Sequence, residues 1–377
     1  MSETILQAYT ALTRGNMEHK NKQVKNAIES YKKSVDLFKE AKQSGIELKE
    51  NNLTNFTNAY VNLGAVLIED KQPNEAVKYF SYAIDQKIST FAIHYGLGSA
   101  YLNLKKYDLA IDALTAASKL DNKKPEVYYN LGLAHKLNND NAQAIPYFQQ
   151  AKTLSFAKDF DTLYNLGVCL EAKKDQGAVG VFKEALAATA EPKTLLSTHC
   201  KIVESQIRVQ AASKTLQSDL KTAFDYANKM SEADKNNPEH KDYLNFIVTH
   251  FGKLCLTVSD ETSKDITKAM ELYKTVNHTD KLAEFLKADA EFMFNDPKGS
   301  KKTAIEILTR LDKYCKNNQE VHTAIQTTLV SIAINQGKDE LVVKIGENRD
   351  YSPDEFGFNV QDNTLLVGQN SDGLNDF

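Results

Sequence analysis

Residues 57–90 read TNAYVNLGAVLIEDKQPNEAVKYFSYAIDQKIST, and the 34 residues after them, FAIHYGLGSAYLNLKKYDLAIDALTAASKLDNKK, repeat the pattern. Tyr60, Leu63, Gly64, Ala76, Phe80 and Ala83 are answered by His94, Leu97, Gly98, Ala110, Leu114 and Ala117, then by Tyr128, Leu131, Gly132, Ala144, Phe148 and Ala151. A fourth copy brings Leu163, Leu166 and Gly167 one residue late and returns to the frame at Ala178, Phe182 and Ala185. A fixed period of this length marks a solenoid of similar units.

Within a copy the apolar positions fall at three- and four-residue steps, which places them on one helical face. Glycine inside a helix costs roughly 1 kcal/mol, so Gly64, Gly98, Gly132 and Gly167 require a compensating close approach. Small Ala76, Ala110, Ala144 and Ala178 would permit it on a second helix, with Phe80, Leu114, Phe148 and Phe182 filling beside them. Polar turns such as Asp70-Lys71-Gln72-Pro73-Asn74 separate the two helices.

Aromatic, Leu-Gly, Ala, large apolar and Ala in this order resemble the tetratricopeptide repeat family over residues 57–190. The resemblance implies an all-α, right-handed superhelical solenoid of antiparallel helix pairs whose first helices line a concave groove. It implies a non-catalytic adaptor or scaffold that binds one or more proteins, through a peptide or helix, and does not choose a partner. An architectural subunit of a cytoskeletal or ciliary complex is the alternative. A co-chaperone role is disfavoured, because the surface matching the family's carboxylate clamp offers Val61, Ala65, Gly96, Glu126 and Asn130 instead of cations.

On that resemblance the groove carries Val61, Tyr95, Tyr129 and Tyr164 at the fifth position of each repeat, Asn62, Gly96, Asn130 and Asn165 at the sixth, and Ala65, Ser99, Leu133 and Val168 one turn on. Tyr95, Tyr129, Tyr164, Asn62, Asn130, Asn165, Val61, Ser99 and Leu133 are therefore the candidate partner-binding residues, on a strip with almost no charge.

Residues 1–56 read as a capping repeat and an insertion. Gly15, Ala27, Tyr31 and Ser34 keep the motif spacing, Glu18 stands where an apolar residue is usual and implies one wet face, and residues 46–56 break the period and prolong the next helix. Residues 191–350 stay helical while the motif degenerates, giving roughly eight hairpins in all. Residues 351–377 hold acids and no Lys or Arg, and read as a disordered tail that could be removed after Asp350. Its apolar anchors Phe356, Phe358, Leu365, Leu366 and Phe377 suit docking on a partner or on the array itself.

Composition narrows the function further. Net charge is −4 and hydrophobic content 42%, and Lys residues are scattered without the dense stripe a nucleic-acid partner needs. No apolar run approaches the roughly 18 residues of a membrane span, and Met1-Ser2-Glu3 does not open a signal peptide, so a cytoplasmic location without membrane insertion is expected. Cys169, Cys200, Cys255 and Cys315 lie far apart and read as free thiols. Phosphate-loop, zinc-helix, dinucleotide and calcium-loop motifs are absent, so neither cofactor nor metal nor catalysis is expected. Neighbouring His199 and Cys200 would point about 100° apart on a helix and cannot act as a pair.

Overall fold

A computed structural model describes residues 3–46, 50–155, 159–208, 213–257, 266–277, 282–295 and 300–358. Among them every regular element is a helix. The chain divides into two compact units, Met1–Asp175 and Gln176–Phe377.

The first unit contains α1 (Glu3–Lys20), α2 (Val24–Gln43), α3 (Glu50–Glu69), α4 (Pro73–Asp85), α5 (Phe91–Asn103), α6 (Tyr107–Leu120), α7 (Pro125–Leu137), α8 (Asn141–Leu154) and α9 (Phe160–Ala172). Each consecutive pair packs antiparallel through the expected small-residue contact. A Cβ on Gly64 would lie 2.1 Å from the Phe80 ring, one on Gly98 2.5 Å from Leu114, and one on Gly132 2.8 Å from Phe148. Any side chain there would overlap the second helix, which is why the helix tolerates glycine. Gly96 does the same work across repeats, since its Cβ would fall 2.4 Å from Phe80. Phe80 is thus gripped between two glycines of successive first helices.

The N-terminal repeat closes in the same way, with Gly15 against the Tyr31 ring at 2.6 Å. Its Glu18 does not make a wet face. The carboxylate is buried, accepts from Ser30 Oγ at 2.6 Å and pairs with Arg14 Nε at 2.8 Å. Those hydrogen bonds, Ser30 first, hold its pKa below the usual carboxylate range. The inserted segment does lengthen the next first helix: α3 has 20 residues, against 13 in α5, α7 and α9.

The first helices α1, α3, α5, α7 and α9 touch in succession, and they approach one another more closely than the second helices do. Their wall is therefore the inside of the curve within this unit. Every first helix whose end is described turns through one left-handed residue, Lys22, Lys71, Lys105, Asn139 and Lys174, with φ between 56° and 61°. Hydrogen bonds such as Gln72 N to Leu67 O (2.7 Å) and Lys106 N to Tyr101 O (2.9 Å) close each end as a Schellman motif.

The second unit contains α10 (Gly177–Leu186), α11 (Pro192–Arg208), α12 (Ser213–Lys229), the short α13 (Glu232–Lys235), α14 (Lys241–Thr257), α15 (Ile266–Asn277), α16 (Leu282–Asn295), α17 (Lys301–Tyr314), α18 (Gln319–Asn335) and α19 (Asp339–Gly346). Here α11, α14, α16 and α18 form the corresponding wall. One continuous core runs from Leu196 to Phe356. The four cysteines of the chain are buried thiols.

The tail begins later than its composition suggests. Residues 353–356 form a turn of 3-10 helix, Tyr351 is buried and Phe356 is fully buried in the core. Phe358 meets Phe294 edge-on at 5.7 Å. The segment is held by a polar knot as well: Tyr351 Oη donates to buried Asp312 Oδ2 at 2.7 Å, His322 Nδ1 lies 2.8 Å from Asp312 Oδ1, and Lys344 pairs with Glu355 at 2.6 Å. Residues 351–358 belong to the folded unit because two aromatic rings, and not the acidic average of the segment, decide its packing. Leu365, Leu366 and Phe377 lie outside the described residues.

Candidate functional site

The first-helix wall of Met1–Asp175 carries the tyrosines expected there. Local sequence sets their rings. Thr90 caps α5 and Asp159 caps α9, each accepting from the backbone N–H three residues on. One turn inside, Phe91 stacks on Tyr95 (5.6 Å, 11°) and Phe160 on Tyr164 (5.3 Å, 27°). In α7 the equivalent position is Pro125, which has no such ring, and Tyr129 leans instead on Phe148 of its own second helix at 5.9 Å. All three tyrosines are half-buried, so each presents an edge that is neither core nor free side chain.

Asparagines tie successive helices together. Asn165 Nδ2 reaches Tyr129 Oη at 3.5 Å and Asp161 O at 2.8 Å, while its Oδ1 accepts from Lys136 Nζ at 2.7 Å. Asn130 Nδ2 donates to Ser99 Oγ at 3.4 Å. Asn62 Nδ2 donates to Asn16 Oδ1 at 2.9 Å, the same oxygen that accepts from Tyr31 Oη at 2.9 Å. Leu133 and Ser99 are half-buried on the wall, and half-buried Val61 packs against the N-terminal core.

The strip is not free of charge, because groups one turn away from the counted positions lean into it. Burial raises the Tyr95 phenol pKa, and Glu126 raises it further; for Tyr129, burial comes first and Asp161 and Asp159 add to it. Both phenols therefore stay protonated and can donate. Half-buried Lys136 stands among them, its pKa lowered by burial. Cys169 beside it is pushed up to about 11 by burial, against the pull of Lys136, which makes it an unreactive thiol.

Outside this wall, His199 packs against Tyr226 at 5.4 Å and Cys200 Sγ points at Tyr243 O, so the neighbours face different partners. Among the described residues no group of three or more His, Cys, Asp or Glu could hold a metal ion, and no helix is long and apolar enough to cross a membrane. Sequence reasoning missed Lys136, and it placed Gly96 in the groove lining without its packing on Phe80 of the preceding repeat. Lysine at position 136 interrupts the apolar Ile68 and Leu102 of earlier repeats and could have signalled the first; Gly96, one of two glycines spaced i and i+2, could have signalled the second.

Two family profiles match the regular repeats, one described as TPR repeat over residues 101–139 and one as tetratricopeptide repeat over residues 125–158. Comparison with curated proteins gives no match. Among solved structures, the C-terminal part of a TPR repeat-containing protein from Cytophaga hutchinsonii is 14% identical and covers 71% of this chain and 96% of its own, with a TM-score of 0.52. It shares the fold. MamA protein is 24% identical over 50% of this chain and 92% of its own (TM-score 0.40), and YrrB, a TPR protein with an unusual peptide-binding site, is 19% identical over 50% and 89% (TM-score 0.40).

Proposed function

We propose that this chain, a tetratricopeptide repeat protein, is a non-catalytic adaptor that holds an extended or helical segment of another protein along the first-helix wall of Met1–Asp175. The observation that carries this reading is the series Tyr95, Tyr129 and Tyr164 on the first helices α5, α7 and α9, half-buried rings backed by Phe91, Phe148 and Phe160. Backing fixes each ring before a partner arrives, so little rotamer entropy is lost on contact. Neutral phenols add donors that discriminate polar from apolar partner groups, and aromatic anchors of this kind commonly act as hot spots.

Cross-linking of the intact chain to its captured partner, followed by mass spectrometry, tests the reading. Cross-links should map to the first helices between α3 and α9, and replacing Tyr95, Tyr129 and Tyr164 with Ala should weaken the isolated complex about tenfold or more. Binding must be compared well below the melting temperature, because half-buried rings also contribute to packing. Cross-links confined to second helices, or undiminished binding by the folded triple variant, would refute the wall as the interface. A single stoichiometric complex joined through those second helices would favour an architectural subunit.

A further inference from the structure

The face that a first helix turns toward the preceding repeat can be seen in α5, where Gly96 meets Phe80 of α4 and its neighbours on that face, Ile93 and Ala100, are buried. Aligning Gly15 with Gly98 places Thr10, Thr13 and Met17 of α1 at the same three positions. On α1 all three are exposed, Met17 by 62%, and a turn before Thr10 the Leu6 side chain is 58% exposed. The opposite face of α1 buries Ile5, Ala8, Ala11 and Leu12. Large apolar side chains left uncovered where the array elsewhere receives a helix mark a contact surface.

Spacing along α1 decides which helix fits. Glu3, Leu6, Thr10, Thr13, Met17 and Lys20 follow one another at steps of 3, 4, 3, 4 and 3, the seam of a two-helix coil. Those steps read alike in both directions. A second α1 laid antiparallel, about a two-fold axis between Ala11 and Leu12, therefore sets Leu6 on Met17, Thr10 on Thr13, and exposed Glu3 of the first turn on exposed Lys20 of the last. The threonines can be covered without loss, because Thr10 Oγ1 already donates to Leu6 O at 2.9 Å and Thr13 Oγ1 to Tyr9 O at 3.0 Å. Neither hydroxyl proton would be left unpaired by burial.

We infer that this face is a homodimer interface: a second copy of the chain covers it, its own α1 running antiparallel in the place that α4 takes on α5. The complement is written in α1 itself, with an apolar and threonine centre and opposite charges at the two ends, so one surface serves both partners, as a two-fold interface requires. Antiparallel packing also sets the helix dipoles head to tail, which favours the pair. A single pair of helices of this length makes a small interface, so association belongs in the micromolar range.

Sedimentation velocity of the full chain over roughly 1–200 µM, at low ionic strength, tests the interface. A monomer–dimer equilibrium is expected. Met17→Glu sets a carboxylate against Leu6 of the other copy and should weaken the dimer about tenfold or more, while helicity and melting of the dilute chain stay level because the position is exposed in the monomer. Charge reversal reads the register separately. Glu3→Lys and Lys20→Glu should each weaken the dimer about fivefold, since either sets like charges together at both ends of the seam, and an equimolar mixture of the two variants should recover the parental affinity. A chain that stays monomeric throughout the range, a dimer of unchanged affinity in folded Met17→Glu, or charge variants that the mixture does not rescue would overturn the assignment.

Discussion

Phe356→Ala should unfold the second unit at a markedly lower temperature, although this residue sits where composition alone suggested a removable tail. Phe356 is fully buried, lies 6.4 Å from the Tyr351 ring in a T-shaped contact, and closes the core against α17. Truncating a phenylalanine in such a place costs about 3–5 kcal/mol, lost burial plus the cavity left behind. For a unit of this size each kcal/mol moves the melting temperature by roughly 2–4 °C, so a drop of about 6–20 °C follows. A point substitution is cleaner than cutting after Asp350, because cutting also removes the conformational cost of ordering residues 351–358. Differential scanning calorimetry of the full chain measures it, with a chain ending at Phe358 as the control that keeps Tyr351 and Phe356 in place. If Phe356→Ala melts within about 2 °C of the parent, less than 1 kcal/mol is involved and residues 351–358 do not cap the core.

Other outcomes follow from single contacts. Gly64→Ala forces a methyl to 2.1 Å from Phe80 and should destabilise by about 1–3 kcal/mol in urea unfolding. Gly180→Ala, in α10 with nothing within 4 Å of the new methyl, should instead stabilise by about 0.5–1 kcal/mol; equal effects of the two would mean that helix propensity, not close approach, governs these glycines. Tyr351→Phe removes the proton donated to Asp312 and should cost about 1–3 kcal/mol, read as a lower urea midpoint. His199 has its pKa lowered from 6.5 to about 4, chiefly by burial. The unfolded chain therefore takes up a proton before the folded one does, and stability present above pH 6.5 is lost as pH falls toward 4. His199→Gln should flatten that part of the urea-midpoint profile, and an unchanged profile would show that the ring is not buried neutral.

How much of this was legible in the sequence depends on the range of the interaction involved. Helix pairing was legible because Gly64, Ala76 and Phe80 recur with their counterparts at a fixed period. Tyr95, Tyr129 and Tyr164 could be placed on the wall for the same reason. Partners brought together only by packing between helices could not. Glu18 looks solvated until Ser30 is found beneath it, and Phe356 looks like part of an acidic linker until α17 lies against it. Lys253 of α14 and Asp289 of α16 form an ion pair that no motif announces, since they are joined by folding and not by spacing.

That distinction bears on what the wall can recognise. Tyrosine and asparagine both stood as partner-binding residues, yet they differ in what remains available. Asn165 has two amide donors, and both are spent, one on Asp161 O and one at long range on Tyr129 Oη; one of its oxygen lone pairs faces Lys136. Replacing it would loosen α7 from α9 whether or not a partner was bound, so lost binding in such a variant says nothing about direct contact. Tyr129 Oη, by contrast, receives its hydrogen bond from Asn165 and keeps its own proton to give. Tyr129→Phe therefore separates the two roles: it keeps the ring against Phe148 and gives up one weak 3.5 Å bond, so stability should change by under about 1 kcal/mol. If the phenol donates to a partner, affinity should fall about tenfold, the loss that follows when a buried acceptor goes unmatched. Should affinity instead stay level while Tyr129→Ala abolishes binding, the ladder works through its ring faces alone, and the partner presents apolar side chains there.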